Sequence, residues 1–168
     1  MKNNQPVLVI LTPGFPKDES DTSCLPSQQI FIRSLNKNFP LLKIIILSFQ
    51  YPFSTLAYNW YGNMVIPFNG MKKGIIARMQ CAPQMAPQML NKLKNENNII
   101  DLLSFWCGEC ALIGKYFGKK NNLEHFAWIT GQDARKGNKY VPFIRPQSHE
   151  LIAMSDFLSK EFYKNYHY

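Results

Sequence analysis

Two cysteines three positions apart, Cys107 and Cys110, stand in the stretch Phe105-Trp106-Cys107-Gly108-Glu109-Cys110, directly after an apolar run and at the head of a helix-like segment. A helix N-terminus lowers the pKa of a thiol held there. One chemistry open to this spacing is therefore dithiol–disulfide exchange of the thioredoxin type. The same pair also reads, and more readily, as two small apolar side chains buried on a strand-to-helix turn. The motif falls two-thirds of the way along the chain, after three strand-like runs, which is more than the thioredoxin fold needs. A structural metal site would call for a second Cys-x-x-Cys or for spaced histidines. His125, His149 and His167 show no ligand spacing, and neither a metal nor a cofactor is expected.

Two further loops carry groups that bind rather than react. Thr12-Pro13-Gly14-Phe15-Pro16 follows the first apolar run. A glycine there lets a ligand approach the backbone, and the helix that follows offers free amides to a phosphate. It is neither a GxGxxG nor a Walker loop, and it also reads as a plain turn. Gly131-Gln132-Asp133-Ala134-Arg135 follows the run Phe126 to Ile129. Asp133 could accept hydrogen bonds from sugar hydroxyls or cap the next segment. The aromatics between Tyr51 and Phe68 are not interleaved with Lys or Arg, as a stacking platform for single-stranded nucleic acid would require.

Positioning these loops needs a scaffold, and its elements are visible. Val7 to Leu11, Ile44 to Leu47, Ile99 to Trp106, Phe126 to Ile129 and Leu151 to Met154 are apolar runs, continuous except for Asp101 and Ser104 in the third. A strand apolar on both faces is covered on both faces, as in a parallel sheet between helix layers. Helices are predicted from Pro26 to before Pro40, burying Ile30, Phe31 and Leu35, and from about Glu109 to Lys119. Another follows Ser155, which should cap it. The apolar positions of Gly74 to Lys94, including Ile75, Ile76, Met79, Met85, Met89, Leu90 and Leu93, have helical spacing. Pro83 and Pro87 predict a break there, because an interior proline costs ~3 kcal/mol. Tyr58 to Phe68 reads as a hairpin turning at Gly62-Asn63. The alternation predicts an α/β three-layer sandwich with a mainly parallel sheet of six or seven strands. The last helix ends on aromatics without a glycine cap, which reads as a chain cut short.

Composition bounds the classes that remain. The chain has 168 residues, a one-domain length, with 46% hydrophobic and 18% charged residues, which excludes a disordered chain. No apolar run approaches the ~20 residues of a membrane span, and the start is a poor secretory signal. A cytoplasmic protein is expected. The net charge is +8, and residues 71–120 alone hold eight basic residues against three acids. Such an excess draws a protein toward anionic partners or simply solvates helix faces.

Taken in order, Thr12-Pro13-Gly14-Phe15-Pro16, Phe31-Ile32-x-x-Leu35, Gln50-Tyr51-Pro52-Phe53, Phe105 to Leu112, Thr130 to Arg135 and Ser155-x-Phe157 resemble the amino-terminal half of retaining glycosyltransferases of the GT-B fold, the family-four or "group 1" class. The resemblance spans about Val7 to Tyr163. It implies one Rossmann-like, acceptor-side domain over residues 1–168, with no counterpart of the carboxyl-terminal, donor-binding domain. The implied activity is hexosyl transfer from a nucleotide-sugar to a glycan, lipid-linked or small-molecule acceptor, as in cell-envelope polysaccharide synthesis. Peripheral contact with anionic membrane is implied, and no nucleic acid. By the same resemblance Gly14 and Phe15 would lie in the cleft near the donor diphosphate, and Glu109 would face the acceptor. Gln132 and Asp133 would line the cleft near the reacting sugar, and Ser155 would end the last strand. Many relatives have histidine where this chain has Thr130, and threonine cannot do the same work. The resemblance leaves the catalytic residues unassigned, and the isolated domain is expected to be inactive.

Overall fold

The computed structural model describes residues 3–70 and 75–167. The elements, in chain order, are β1 (Asn3–Gly14), α1 (Pro26–Asn38), β2 (Lys43–Tyr51), β3 (Tyr58–Trp60), β4 (Asn63–Pro67), α2 (Ile75–Glu96), β5 (Asn97–Phe105), α3 (Glu109–Asn121), β6 (Glu124–Ile129), the short α4 (Gly131–Ala134) and α5 (Val141–Ile144), β7 (Leu151–Ala153) and α6 (Asp156–Tyr166). The seven strands make a mainly parallel sheet in the order β3-β4-β2-β1-β5-β6-β7, the Rossmann-like α/β sandwich that the alternation predicts. The chain divides into two compact units, Met1–Ile100 and Asp101–Tyr168.

In the first unit β1 runs parallel to β2, and β2 runs parallel to β4. The centre of β2, Ile44 to Phe49, is buried without a break. Successive strand residues face opposite ways, so both faces of this strand are covered. The hairpin forms, with its turn one residue earlier than predicted. Tyr61 and Gly62 take the two left-handed positions, and Trp60 pairs with Asn63 to close it. Asn59 accepts from the Gly62 amide at 2.8 Å, and the Asn63 side chain donates to the Trp60 carbonyl at 3.1 Å.

Two expectations for the helices are corrected. In α1, Ile30 is 69% exposed, while Gln28, Gln29 and Ile32 are buried; Phe31 and Leu35 are partly covered. The reason is the loop before the helix. The Gln29 side chain donates to the carbonyls of Asp21 (2.9 Å) and Cys24 (2.7 Å), so the loop covers the glutamine face. The second correction is α2, one helix that runs through Pro83 and Pro87 without a break. Ala86, Leu90 and Leu93, at positions i, i+4 and i+7, are buried along one stripe of it. At roughly 25 cal/mol per Å² of apolar surface, that stripe offsets the missing amides. The predicted apolar positions Ile75, Ile76 and Met79 lie outside the described side chains.

In the second unit β6 runs parallel to both β5 and β7. Helix α3 lies close on this sheet because two of its residues lack side chains. A Cβ at Gly114 would sit 2.5 Å from the ring of His125, and one at Gly118 would sit 2.8 Å from the Leu123 carbonyl. His125 is buried beneath them, its Nε2 2.8 Å from Ser104 Oγ. A second cluster joins Cys107 and Ala111 of the β5–α3 segment to Ala127, Ile129, Ala134, Val141, Ile144 and Phe162. Among the described residues no helix is long and apolar enough to cross a membrane.

Candidate functional site

Parallel strands present their carboxyl ends on one side, and ligands of open α/β sheets bind there. In the second unit the loops after β5, β6 and β7 therefore share an end. Glu109 opens α3 after β5, Thr130 to Asp133 follow β6, and Ser155 follows β7. The first two of these loops are joined by a carboxylate. Asp133, buried, accepts from the amide of Cys107 (3.0 Å), the amide of Thr130 (2.8 Å) and the hydroxyl of Thr130 (2.9 Å). Burial pushes its pKa up, and these donors oppose the shift by stabilising the charged form. Asp133 is thus a clamp between two loops. Its oxygens face protein donors, and of the two roles open to it in the sequence the structure shows the cap.

The turn held by the clamp is strained. Trp106 takes φ +68°, a conformation that costs a side-chain-bearing residue roughly 1–2 kcal/mol. Its amide donates to the Trp128 carbonyl at 2.9 Å. The strain places Gly108 at the head of α3, where a Cβ would meet nothing within 4 Å; the same holds at Gly131. Bare backbone therefore borders both loops. Glu109 is half-buried beside this opening. Burial raises its carboxyl pKa, and the Lys139 ammonium opposes the rise.

A third segment closes the arrangement, and nothing in the sequence pointed to it. Asn138 donates from its side chain to the Cys107 carbonyl (2.9 Å) and accepts at its Oδ1 from the Tyr140 amide (2.9 Å). The Asn138 amide donates to the Tyr166 hydroxyl (2.8 Å), and that hydroxyl donates to the Arg135 carbonyl. Asn165 donates to the Ala134 carbonyl at 2.8 Å. The last turn of α6 thus pins the loop that follows Asp133. These contacts span about thirty residues, and a local pattern does not reveal them.

The structure places the remaining candidates as follows. Gln132 is exposed, Thr130 is turned onto Asp133, and Ser155 caps α6 by accepting from the Leu158 amide at 3.3 Å. In the first unit Gly14 ends β1 opposite Tyr51, and the Phe15 amide donates to the Tyr51 carbonyl at 3.0 Å. A Cβ at Gly14 would meet Tyr51 at an ordinary 3.5 Å. Phe15 is fully buried, edge-on to Trp60 with ring centroids 4.9 Å apart, so it contacts the core. Asp21 accepts from the Tyr51 hydroxyl at 3.0 Å and ties the following loop to the end of β2.

Both thiols of the Cys-x-x-Cys are free and buried. Burial, reinforced by the Asp133 carboxylate, pushes Cys107 up to about 12. Burial, reinforced by Glu109, pushes Cys110 up too. A redox-active thiol needs the opposite shift. Iodoacetamide at neutral pH should therefore label Cys107 and Cys110 at least about a hundredfold more slowly than in the urea-unfolded chain. Native labelling at the unfolded rate would show that the turn does not enclose them.

Among the described residues, side chains with metal-ligand chemistry gather elsewhere. Glu124, His149 and Glu150 bring their ligand atoms within 4.8 Å of one another, at the start of β6 and before β7. Glu124 and His149 are 25 positions apart, which is why spacing alone did not show them. Both oxygens of Glu150 are already engaged, one by Lys115 and one by the Gln147 amide at 2.7 Å.

No protein-family model matches this chain, and no curated protein matches it.

Proposed function

We propose that the chain is the acceptor-side part of a retaining glycosyltransferase that moves a sugar from a nucleotide-sugar to a hydroxyl. The observation that carries this reading is the clamp: Asp133 fixes the loops after β5 and β6, leaving Glu109, Gln132 and two bare glycines at the carboxyl ends of parallel strands. A half-buried carboxylate and a neutral amide on adjacent rigid loops suit a polyhydroxylated ligand. Each accepts from hydroxyls, and the amide also donates. Fixed loops lower the ordering cost of binding. In such a reaction charge develops on the leaving diphosphate and on the sugar ring. These residues orient the acceptor, while cations and helix N-termini stabilise the diphosphate. The net charge of +8 suits work at an anionic membrane face of the cytoplasm.

Holding donor and acceptor together supplies ~7–11 kcal/mol of such a barrier, so the 168 residues alone are expected to bind weakly and to transfer no sugar. The test is a titration of the isotope-labelled protein with nucleotide-sugars and neutral saccharides, read by amide chemical shifts. Shifts should gather at Gly108, Glu109, Gly131 and Gln132. Gln132→Ala, an exposed change, should weaken binding about threefold without altering thermal stability. Absence of shifts on these loops, or sustained sugar transfer by the chain alone, would sink the reading. Buried high-pKa thiols stand against the dithiol-exchange alternative.

A further inference from the structure

The loop after the clamp carries an unbalanced charge. Between Gly131 and Gln147 the acid is Asp133, buried and occupied by protein donors. Against it stand Arg135, Lys136, Lys139 and Arg145, all exposed. Among the described residues the ion pairs are Lys115 with Glu150 and Lys164 with Glu161, so none of the four is paired at contact distance. Two exposed cations of the same unit, Lys119 and Lys120, have a use within the fold. They sit in the last turn of α3, where positive charge complements the helix dipole. Lys139 lies over the Tyr140 ring, 5.3 Å from its centroid, with Glu109 within electrostatic reach.

The backbone that carries these charges is not loose. Asn138 holds it to the Cys107 turn, and Tyr166 and Asn165 hold it to α6. Like charges on a fixed loop repel one another whenever no anion is present. A counter-ion recovers that energy, and a pre-ordered loop spends little of it on ordering.

We infer that Arg135, Lys136 and Lys139 form a phosphate-recognition surface beside Glu109 and Gln132, so that the acceptor taken at this site carries a phosphate group. This deepens the glycosyltransferase reading and rests on it for the word acceptor. The shared chemistry is a phosphate ester, whether on a soluble sugar or in a lipid headgroup. Arginine forks read its oxygens in pairs, and lysines add point charge.

The experiment titrates the labelled protein with inorganic phosphate, glucose phosphate, glucose, and vesicles of phosphatidylglycerol in phosphatidylcholine. Glucose phosphate should bind about tenfold more tightly than glucose and shift the amides of residues 135–139, with the gap closing as salt rises. Lys139→Gln and Arg135→Gln, both exposed changes, should each weaken it about threefold to fivefold, whereas Lys119→Gln with Lys120→Gln should not. Loop shifts with vesicles alone would support the surface and assign the phosphate to lipid. Equal binding of glucose and glucose phosphate, with no vesicle binding, would overturn the proposal. In that event glucose shifts at Gly108 and Gln132 would leave the glycosyltransferase reading standing. Equal weakening by the α3 lysine changes would also overturn it, since attraction would then be a property of net charge.

Discussion

Asp133→Ala should cost about 3–5 kcal/mol of stability, enough to leave the variant largely unfolded if the protein has ordinary marginal stability. The side chain accepts from two backbone amides and a hydroxyl, and it lies among buried neighbours. Truncation leaves those donors without partners where water does not easily follow. Each stranded buried donor costs ~1–3 kcal/mol, against only ~1 for a bond lost together with both partners. Asp133→Asn should fall between. One oxygen can still accept from Cys107, while the new amide group faces the Thr130 donors and repels them. Urea unfolding checks both, through the midpoint at constant slope. A variant that keeps the parent midpoint would show that Asp133 is not the clamp.

Acid should destabilise the protein through His125. Its imidazole is buried under α3 and its pKa falls to about 4, chiefly because burial penalises the charged form. Glu150 opposes that fall and Lys115 adds to it. In the unfolded chain the same group titrates near ~6.5. Between these two values the unfolded chain binds more protons, so stability rises with pH. The contribution is present in full above the unfolded value. It is lost as the pH falls from about 6.5 to about 4, and amounts to about 3 kcal/mol. Unfolding free energies measured across that window should fall with acid, and His125→Gln should flatten the curve. An equal slope in the variant would assign the proton uptake elsewhere.

The strands were legible because their apolar runs are continuous, and only a strand covered on both sides is continuous; Ile44 to Leu47 became the buried centre of β2. Cap chemistry was legible too. Ser155 caps α6 with the bond its type and position imply. Phase was harder. Ile30 points outward because a loop eight residues upstream occupies the glutamine face, and periodicity does not see the loop. The two prolines misled for a related reason: their penalty is local, while the burial of Ala86, Leu90 and Leu93 that offsets it is tertiary. At the site, sequence singled out Asp133, Glu109 and Gln132 by residue type and by their place after strands. It missed Asn138, Tyr166 and the bond from the Cys107 amide to Asp133, because those depend on partners about thirty residues away.

The last turn of α6 gives this surface an unusual dependence. Terminal turns of helices breathe at little cost in free energy unless something anchors them. Here the anchor and the anchored are the same bonds, since Tyr166 both steadies the helix end and holds Arg135 and Asn138 in place. When that turn frays, the Asn138 amide and the Arg135 carbonyl lose their partner together. The loop is then held to the Cys107 turn through the Asn138 side chain. Tyr166 thus couples the order of the basic loop to the order of a neighbouring helix end.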